Sequence, residues 1–314
     1  MGMKISNISK RPKKLADIQA LAALGQSRLM SIYEAECEKY NFHASQMLLT
    51  SEDLCSRERH LNVLNCINAV WSHGNLPVIN ENDSVSIDEI KFGDNDTLAA
   101  MAAVMTRSDL TILLTTVDGL HTTTPDGKLD KRIPVVKEIT KEIYNLAAGT
   151  DNNAFSIGGM YTKLKAAEIV TSAGEQLLIA DGRKEGIISD IFSGKNCGTL
   201  FPASSEKQMQ SKKRWLQFFT KEAGIIKVDK GAEHAISRNG SSLLPSGITS
   251  ASGAFKSGDA VLIVNAEDIP VAKGLTNFSA SELLKILGKQ TNQIEEILGT
   301  DSSVVIHRDN LAIL

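Results

Sequence analysis

Up to about residue 200, apolar positions follow two alternating patterns along the chain. Apolar residues at helical spacing, which is typical of a helix with one buried face, predict helices over 15–39, 57–72, 96–106, 137–147 and 161–173. Short continuous apolar runs predict strands at 44–50, 76–80, 109–116 and 175–181. Strands that are apolar on both faces and alternate with helices indicate an α/β fold with a mainly parallel, doubly wound sheet.

The pattern changes after this region. A polar stretch follows, and we predict a linker over 206–223. From 224 to 314, short apolar runs alternate with glycine and proline turn signals, which predicts a small, mostly β domain with one helix near 279–287. The chain is therefore predicted to contain an α/β domain over 1–205 and a second domain over 224–314.

Composition narrows the class of protein. With 42% hydrophobic and 23% charged residues the chain has the balance of an ordinary globular protein. A net charge of −3 gives no general attraction to nucleic acid or to an anionic membrane. The longest apolar runs have the length of a strand, far below the roughly 20 residues that a membrane-spanning helix needs. We therefore expect no membrane segment.

The cysteines and histidines point to no metal site. The four cysteines show no CxxC spacing, and the six histidines include no HxxxH pair. We interpret the histidines as core or surface residues and predict no metal held by protein ligands alone. Free thiols and a basic N-terminus without the apolar segment of a secretory signal favour a cytoplasmic location.

An acid- and amide-rich stretch, PVINENDSVSIDEIKFGDND at 77–96, follows a predicted buried strand. In parallel sheets ligands bind at the carboxyl ends of strands, so this position favours a functional role. The spacing does not match an EF-hand calcium loop. Amides suit a small zwitterion, with Asp83 facing its ammonium group and Asn95 its carboxylate. A plain solvated loop remains an equal alternative on composition.

A glycine pair precedes a predicted helix in SIGGMYTKLKAA at 156–167. The chain contains no P-loop, no GxGxxG after a strand and no GxSxG. Glycines permit close backbone approach, the helix N-terminus offers free N–H groups, and Lys163 adds a positive charge. This pattern suits a phosphate, although a plain helix start with a surface lysine would look the same.

Several longer strings resemble those of one known family. They occur in the order found in glutamate 5-kinases, members of the amino-acid kinase superfamily: QALAALGQSRLM (19–30), QMLLT (46–50), RERHLN (57–62), PVINEND (77–83), EIKFGDND (89–96), DGLHT (118–122) and IGGMYTKLKAA (157–167). Farther on, GSSLLPSGI, SGAFKSGD and VVIHRDN resemble the PUA domain that follows the kinase domain in this family. The resemblance covers nearly the whole chain.

The resemblance implies an activity. A member of this family transfers the γ-phosphoryl group of ATP, with Mg²⁺, to the side-chain carboxylate of L-glutamate, the first step of proline synthesis. The resemblance also implies a homo-oligomer and feedback inhibition by proline. Because a glutamate carboxylate is ionised at neutral pH, the reaction needs charge neutralisation and positioning more than a general base.

The resemblance also assigns site residues. The glutamate site falls on Asp83 and Asn95, with Asn80, Asp94 and Asp96 as neighbours that shape it. Lys163 matches the family lysine that contacts the transferring phosphoryl group. The ATP site falls on these residues: Thr115, Thr116, Gly158, Gly159, Met160, Tyr161, Thr162 and Lys163.

The sequence departs from the family at two places. Thr116 stands where the family commonly has Asp, which affects the expected nucleotide contacts. Family members begin with a strand that carries a phosphate-binding lysine turn, whereas this chain opens at MGMKISNISKRPKK, which resembles a later segment. We therefore expect the first βαβ portion to be missing and kinase activity to be low or absent, since losing one phosphoryl-stabilising group costs about 10²–10³ in rate.

Two alternatives remain open. Another amino-acid kinase, acting on aspartate, N-acetylglutamate or a nucleoside monophosphate, would share the sheet and the lysine. In the second alternative, the PUA-like domain makes this a non-catalytic protein that binds RNA or acts in regulation. Residues 222–314 contain eight basic and eleven acidic residues, and this net charge of −3 disfavours a surface that follows a phosphate backbone.

Overall fold

A computed structural model describes residues 1–85, 95–124, 128–148, 157–204, 211–289, 291–299 and 304–314. The chain divides into two compact units, Met1–Lys207 and Gln208–Leu314. The first unit contains helices α1 (Gly2–Ile5), α2 (Leu15–Cys37), α3 (Ser51–Cys55), α4 (Arg57–Ser72), α5 (Asn95–Thr106), α6 (Lys141–Ala148), α7 (Ile157–Ser172) and α8 (Ile187–Phe192). Its strands are β1 (Ala44–Leu49), β2 (Leu76–Glu81), β3 (Leu110–Thr115), β4 (His121–Thr123), β5 (Leu129–Arg132), β6 (Gln176–Asp181) and β7 (Gly198–Phe201).

The strands of the first unit pair mainly in parallel. β1 pairs with β2 and β3 pairs with β6, both in parallel, while β7 joins β6 in antiparallel orientation. β4 and β5 form a separate antiparallel hairpin. The predicted α/β class is confirmed. Among the described residues, however, the pairing is divided among three small sheets, because no ladder joins β2 to β3.

Helices α5 and α7 pack against each other and hold the core of this unit together. The contact is built from small buried residues, Ala100 and Ala103 on α5 and Ala166 and Ala167 on α7, with Leu164 beside them. Alanine side chains let two helix axes approach closely because little volume lies between them. The first turns of the two helices are therefore brought together.

Two predicted helix starts differ from the structure by four residues. α6 begins at Lys141 and not at residue 137, and α7 begins at Ile157, four residues before the predicted start. Glycine is a poor helix former, so the pair Gly158–Gly159 indicated a start after it. Since packing of the rest of α7 stabilises the helix, its first turn includes both glycines.

The second unit is a mixed sheet with four helices among its described residues. The helices are α9 (Ser211–Phe219), α10 (Lys230–Asn239), α11 (Ala280–Ile286) and α12 (Thr291–Leu298). The strands β8 (Gly224–Val228), β9 (Ile248–Gly253), β10 (Ala260–Val264), β11 (Pro270–Leu275) and β12 (Leu311–Ile313) form one sheet in the order β12-β11-β10-β8-β9.

The expectation of a single helix in this unit is wrong. α10 is preceded by the capping residue Asp229, whose side chain accepts a hydrogen bond from the Ala232 amide, and is followed by Gly240 in a left-handed conformation. α9 lies inside the segment predicted as a linker and buries Trp215, Leu216 and Phe219. That segment therefore contributes to the second unit.

Among the described residues, no helix is both long enough and apolar enough to cross a membrane.

Candidate active site

The ends of β3 and β6 meet at one edge of the sheet, with Thr115 opposite Asp181. Arg183 donates from Nε to Asp181 Oδ1 at 2.9 Å and from Nη2 to the carbonyl oxygen of Thr116 at 2.6 Å. The side-chain hydrogen bond from Arg183 lowers the pKa of Asp181 to about 2, so the carboxylate is ionised at neutral pH. This ion pair holds the turn after β3 in place.

A cavity of about 270 Å³ opens at this turn. It brings together five residues of the predicted ATP site: Thr115, Thr116, Gly159, Met160 and Lys163. The remaining described lining residues are Val117, Gly119, Leu120, His121 and Leu129. The lining thus combines two hydroxyl groups, a glycine from the first turn of α7 and a lysine with several apolar side chains. We refer to it as the nucleotide cavity.

Lys163 forms an ion pair across the contact between α5 and α7. Its Nζ lies 2.8 Å from Asp96 Oδ2, and Thr162 Oγ1 donates to the same oxygen at 2.9 Å. The side chains of Lys163 and Asp96 are 13% and 18% exposed, so water screens the pair only partly. The long lysine side chain is therefore held in one position at the cavity wall.

A larger cavity, of about 510 Å³, lies beside the end of β2. Asn80 and Asp83 of the predicted glutamate site line it, together with Glu81, Asn82 and Ser84. The Glu81 amide donates to Asn80 Oδ1 at 3.0 Å, which orients the amide so that Asn80 Nδ2 donates to Gln26 Oε1 at 2.9 Å. We refer to this as the polar cavity.

Comparison with known proteins gives the family of this chain. The profile of the Amino acid kinase family matches residues 2–181, and that of the PUA domain matches residues 224–298. A protein of Syntrophus aciditrophicus named Glutamate 5-kinase is 43% identical over 96% of this chain and 78% of its own length. Proteins of the same name from Thermoanaerobacter sp. (strain X514) and Geobacter sulfurreducens are 42% and 39% identical, each over 100% of this chain and 84% of their length. This chain belongs to the glutamate 5-kinase family.

The resemblance drawn from the sequence strings, to the glutamate 5-kinases and to the PUA domain, is confirmed by these matches. The structure then places the family's site strings in two neighbourhoods. The PVINEND string contributes to the polar cavity, and the IGGMYTKLKAA string contributes to the nucleotide cavity.

Other residues assigned from the glutamate 5-kinase resemblance lie outside both cavity linings. Asn95 is the exposed first residue of α5, and Asp96 bonds to Lys163 and does not line the polar cavity. Tyr161 is exposed and packs on the ring of Tyr144, with 5.4 Å between the ring centroids. Gly158 lies in the first turn of α7, and Asp94 lies outside the described residues.

Sequence reasoning missed two residues that line the cavities of this protein. Gln26 on α2 lines the polar cavity and bonds to Asn80, which is 54 positions away in the sequence. His121 on β4 lines the nucleotide cavity. The string DGLHT contained His121, but no local signal distinguished it from a surface histidine.

One group of metal-ligand type occurs within the described part of the chain, formed by Glu34, Glu38 and His43. None of the three lines either cavity. Glu34 accepts from His43 Nδ1 at 2.6 Å, and this hydrogen bond raises the pKa of His43 and lowers that of Glu34. The cluster is thus explained by its own ion pair.

Proposed function

We propose that this protein transfers the γ-phosphoryl group of ATP to the side-chain carboxylate of L-glutamate, forming glutamyl 5-phosphate for proline synthesis. The observation that supports this most directly is the nucleotide cavity with Lys163 at its wall, in a chain whose named relatives are glutamate 5-kinases. The five predicted ATP-site residues that share this cavity come from two separate parts of the sequence, the end of β3 and the first half of α7.

Lys163 would stabilise the negative charge that develops on the phosphoryl group during transfer. Phosphoryl transfer depends mainly on positioning and on neutralising charge, and a group fixed beforehand does this at little reorganisation cost. Asp96 holds the lysine Nζ at 2.8 Å and so acts as its positioning residue. No general base is required, because the attacking carboxylate is ionised at neutral pH.

The first turn of α7 would bind the phosphate groups. The first N–H groups of a helix have no partner within the helix and, together with the helix dipole, favour an anion. Gly159 lies in this turn and lines the nucleotide cavity, and a methyl group added to it would meet no atom of the described residues within 4 Å. The open space at this glycine leaves the backbone accessible to a ligand.

The polar cavity would receive glutamate. Asp83 would pair with the substrate ammonium group. The side-chain amide of Asn80, which Glu81 and Gln26 orient, would also hydrogen-bond to the substrate. Asn95, Asp94 and Asp96 complete the site in this proposal, because the resemblance to the family assigns them to it. The amides of Asn80 and Asn82, which line the cavity beside the carboxylates of Glu81 and Asp83, suit a zwitterion better than a lone cation.

Mg²⁺ would accompany ATP in this site. With a nucleotide, Mg²⁺ keeps water and phosphate ligands and needs only one or two protein carboxylates. Asp96 fits that requirement, because its carboxylate lies 2.8 Å from Nζ of Lys163, which lines the nucleotide cavity. When bound, Mg²⁺ would neutralise charge on the phosphate oxygens.

The same proposal includes a cytoplasmic location, a homo-oligomer and inhibition by proline. The location is supported by the four cysteines, all of which are free thiols, as is usual in a reducing compartment. The homo-oligomer and the inhibition by proline are supported by membership of the family.

Substitution of Lys163 tests the proposal. Purified protein is incubated with ATP, Mg²⁺, L-glutamate and hydroxylamine, which traps glutamyl 5-phosphate as a stable hydroxamate that accumulates even at slow turnover. We predict that Lys163→Ala lowers the rate by about 10²–10³, since one charge-stabilising group is lost. The matched control is Lys165→Ala on the same helix, where the lysine lies over the ring of Tyr161 and outside the nucleotide cavity.

Substrate choice is measured in the same assay with L-aspartate, N-acetylglutamate and UMP as alternative acceptors, ADP release being recorded for each. The proposal expects product with L-glutamate alone. Equal rates for the Lys163 and Lys165 variants, or preference for another acceptor, would show that the proposed reaction is wrong.

A further inference from the structure

The nucleotide cavity has one aromatic ring among its described lining residues, that of His121 on β4. Its side chain is 16% exposed, so the ring is largely enclosed by protein but still reaches the cavity. Three aliphatic side chains and one thioether line the same cavity: Val117, Leu120, Leu129 and Met160. This apolar group has no role in the phosphoryl transfer described above.

Both nitrogens of the His121 ring are directed at oxygen acceptors of the protein. Nδ1 lies 3.2 Å from the Gly119 carbonyl oxygen, and Nε2 lies 3.3 Å from Asp118 Oδ1. Arg132 holds Asp118 from the other side, with Nη1 at 3.4 Å from Asp118 Oδ2. Arg132 is itself fixed, because Nη2 donates at 2.9 Å to the carbonyl and side-chain oxygens of Asn196.

The backbone beneath His121 is fixed as well. Gly119 has φ +139°, which favours glycine, and a Cβ at this position would lie 2.4 Å from Thr199 Oγ1. The same Thr199 hydroxyl accepts from the Leu120 amide at 2.8 Å and donates to the Ile133 carbonyl at 2.6 Å. The ring of His121 is therefore held by both its backbone and its side-chain contacts.

Both ring nitrogens lie close to protein oxygens, one of which accepts the N–H of the neutral ring, so the part of this fixed ring that remains for the cavity is its carbon surface. Such a surface suits a flat, apolar-faced group, and every nucleobase has such a face. Lys163 is assigned to the phosphates of ATP, and the resemblance to the family implies that Thr115 and Thr116 lie near its base and ribose, so the apolar members of the same lining are available to the face of the base.

We propose that the His121 ring is the stacking surface for the nucleobase of ATP, held in position by Asp118 and Arg132. This inference rests on the proposed function, because it requires ATP to occupy the nucleotide cavity. Stacking recognises the face of a base and not its hydrogen-bonding edge, so His121 contributes affinity and little choice between adenine and guanine.

The test measures binding by titration calorimetry of the full chain with ATP, with GTP and with inorganic tripolyphosphate, which carries no base. We expect His121→Ala to weaken ATP and GTP binding roughly ten- to a hundredfold and to leave tripolyphosphate binding unchanged. His121→Phe keeps a flat ring and should restore most of the ATP affinity. His73→Ala, at an exposed histidine outside the cavity, is the matched control.

Lys163→Ala separates this inference from the proposed function. It should weaken all three ligands, because it removes a phosphate contact. If Lys163→Ala weakens ATP and His121→Ala does not, the stacking role is wrong and the ATP site stands. If His121→Ala weakens tripolyphosphate as much as ATP, His121 acts on the phosphates or on the fold, and the proposal is overturned. If neither variant changes ATP binding, both assignments fail.

Discussion

The histidine of α4, His60, is 5% exposed and lines neither described cavity. Burial, with a smaller effect from the positive charge of Arg57, lowers the pKa of its imidazole from 6.5 to about 4. In the pH range between these two values the folded protein keeps His60 neutral, whereas the unfolded chain binds a proton there. The cost of burying this side chain thus depends on pH.

We predict that His60 makes the protein less stable in mild acid. Because the unfolded state binds more protons below pH 6.5, its contribution is fully present above that pH and declines as the pH approaches 4. The free energy of unfolding should fall by roughly 1–2 kcal/mol between about pH 7 and pH 5 through this residue. Urea unfolding at both pH values should show a smaller decrease in His60→Gln than in the wild type.

The control is His73→Gln, which removes an exposed histidine and leaves His60 in place, so the decrease that His60 causes should remain. If the decrease is the same in all three proteins, the lowered pKa of His60 is not responsible for it.

At the scale of elements, α10 shows how a helix can be overlooked in a region of short strands. Its sequence offers the usual signals, with Asp229 at the N-cap and Gly240 just after the last turn. The surrounding glycine, serine and proline turn signals outweighed them. The cap is nevertheless well formed, since Asp229 Oδ1 accepts from the Ala232 amide at 2.7 Å.

Removing this cap should destabilise the second unit. Asp229→Ala leaves an amide of the first turn without its side-chain acceptor, which costs about 1 kcal/mol. Thermal unfolding followed by circular dichroism should show a lower midpoint for this variant. The control is Glu267→Ala in an exposed turn of the same unit, where we expect a change within about 0.5 kcal/mol. Equal midpoints for the two variants would argue against a stabilising cap.

On the scale of the whole molecule, each unit has a hydrophobic core of its own. Residues from β3, α5, α6, α7, β6 and β7 form the core of the first unit. Those of the second come from its own sheet, from α10, α11 and α12, and from the loops between them. Because each core stabilises the unit that contains it, a substitution in one core should lower the stability of that unit.

A pair of core substitutions tests this division. Ile263→Ala removes a fully buried side chain of the second unit, and Leu164→Ala removes one from α7 in the first. Each should cost about 2–5 kcal/mol of unfolding free energy in its own unit. ATP affinity at moderate temperature should be unchanged in Ile263→Ala and weakened in Leu164→Ala, because Leu164 lies next to Lys163. Loss of ATP binding in Ile263→Ala would mean that the units do not fold independently.

The elements with strong periodicity were predictable from the sequence. α4 has the predicted bounds at both ends, and β1, β2, β3 and β6 lie within or next to their predicted runs. α7 was predicted with a late start, because glycine has a low intrinsic helix propensity that tertiary packing overrides here. The second unit has four described helices where one was predicted, because the turn signals around them outweighed their helix signals, as described for α10.

By itself the sequence determined the α/β class, the two-part organisation and the family, because these follow from local periodicity and from strings of neighbouring residues. Only the tertiary structure decided which residues meet. Asp96 bonds to Lys163 across 67 positions, and Arg183 holds the Thr116 carbonyl across the same separation. Such contacts depend on how closely α5 packs on α7 and how β3 pairs with β6. Neither of these distances can be read from the local spacing of residues in the sequence.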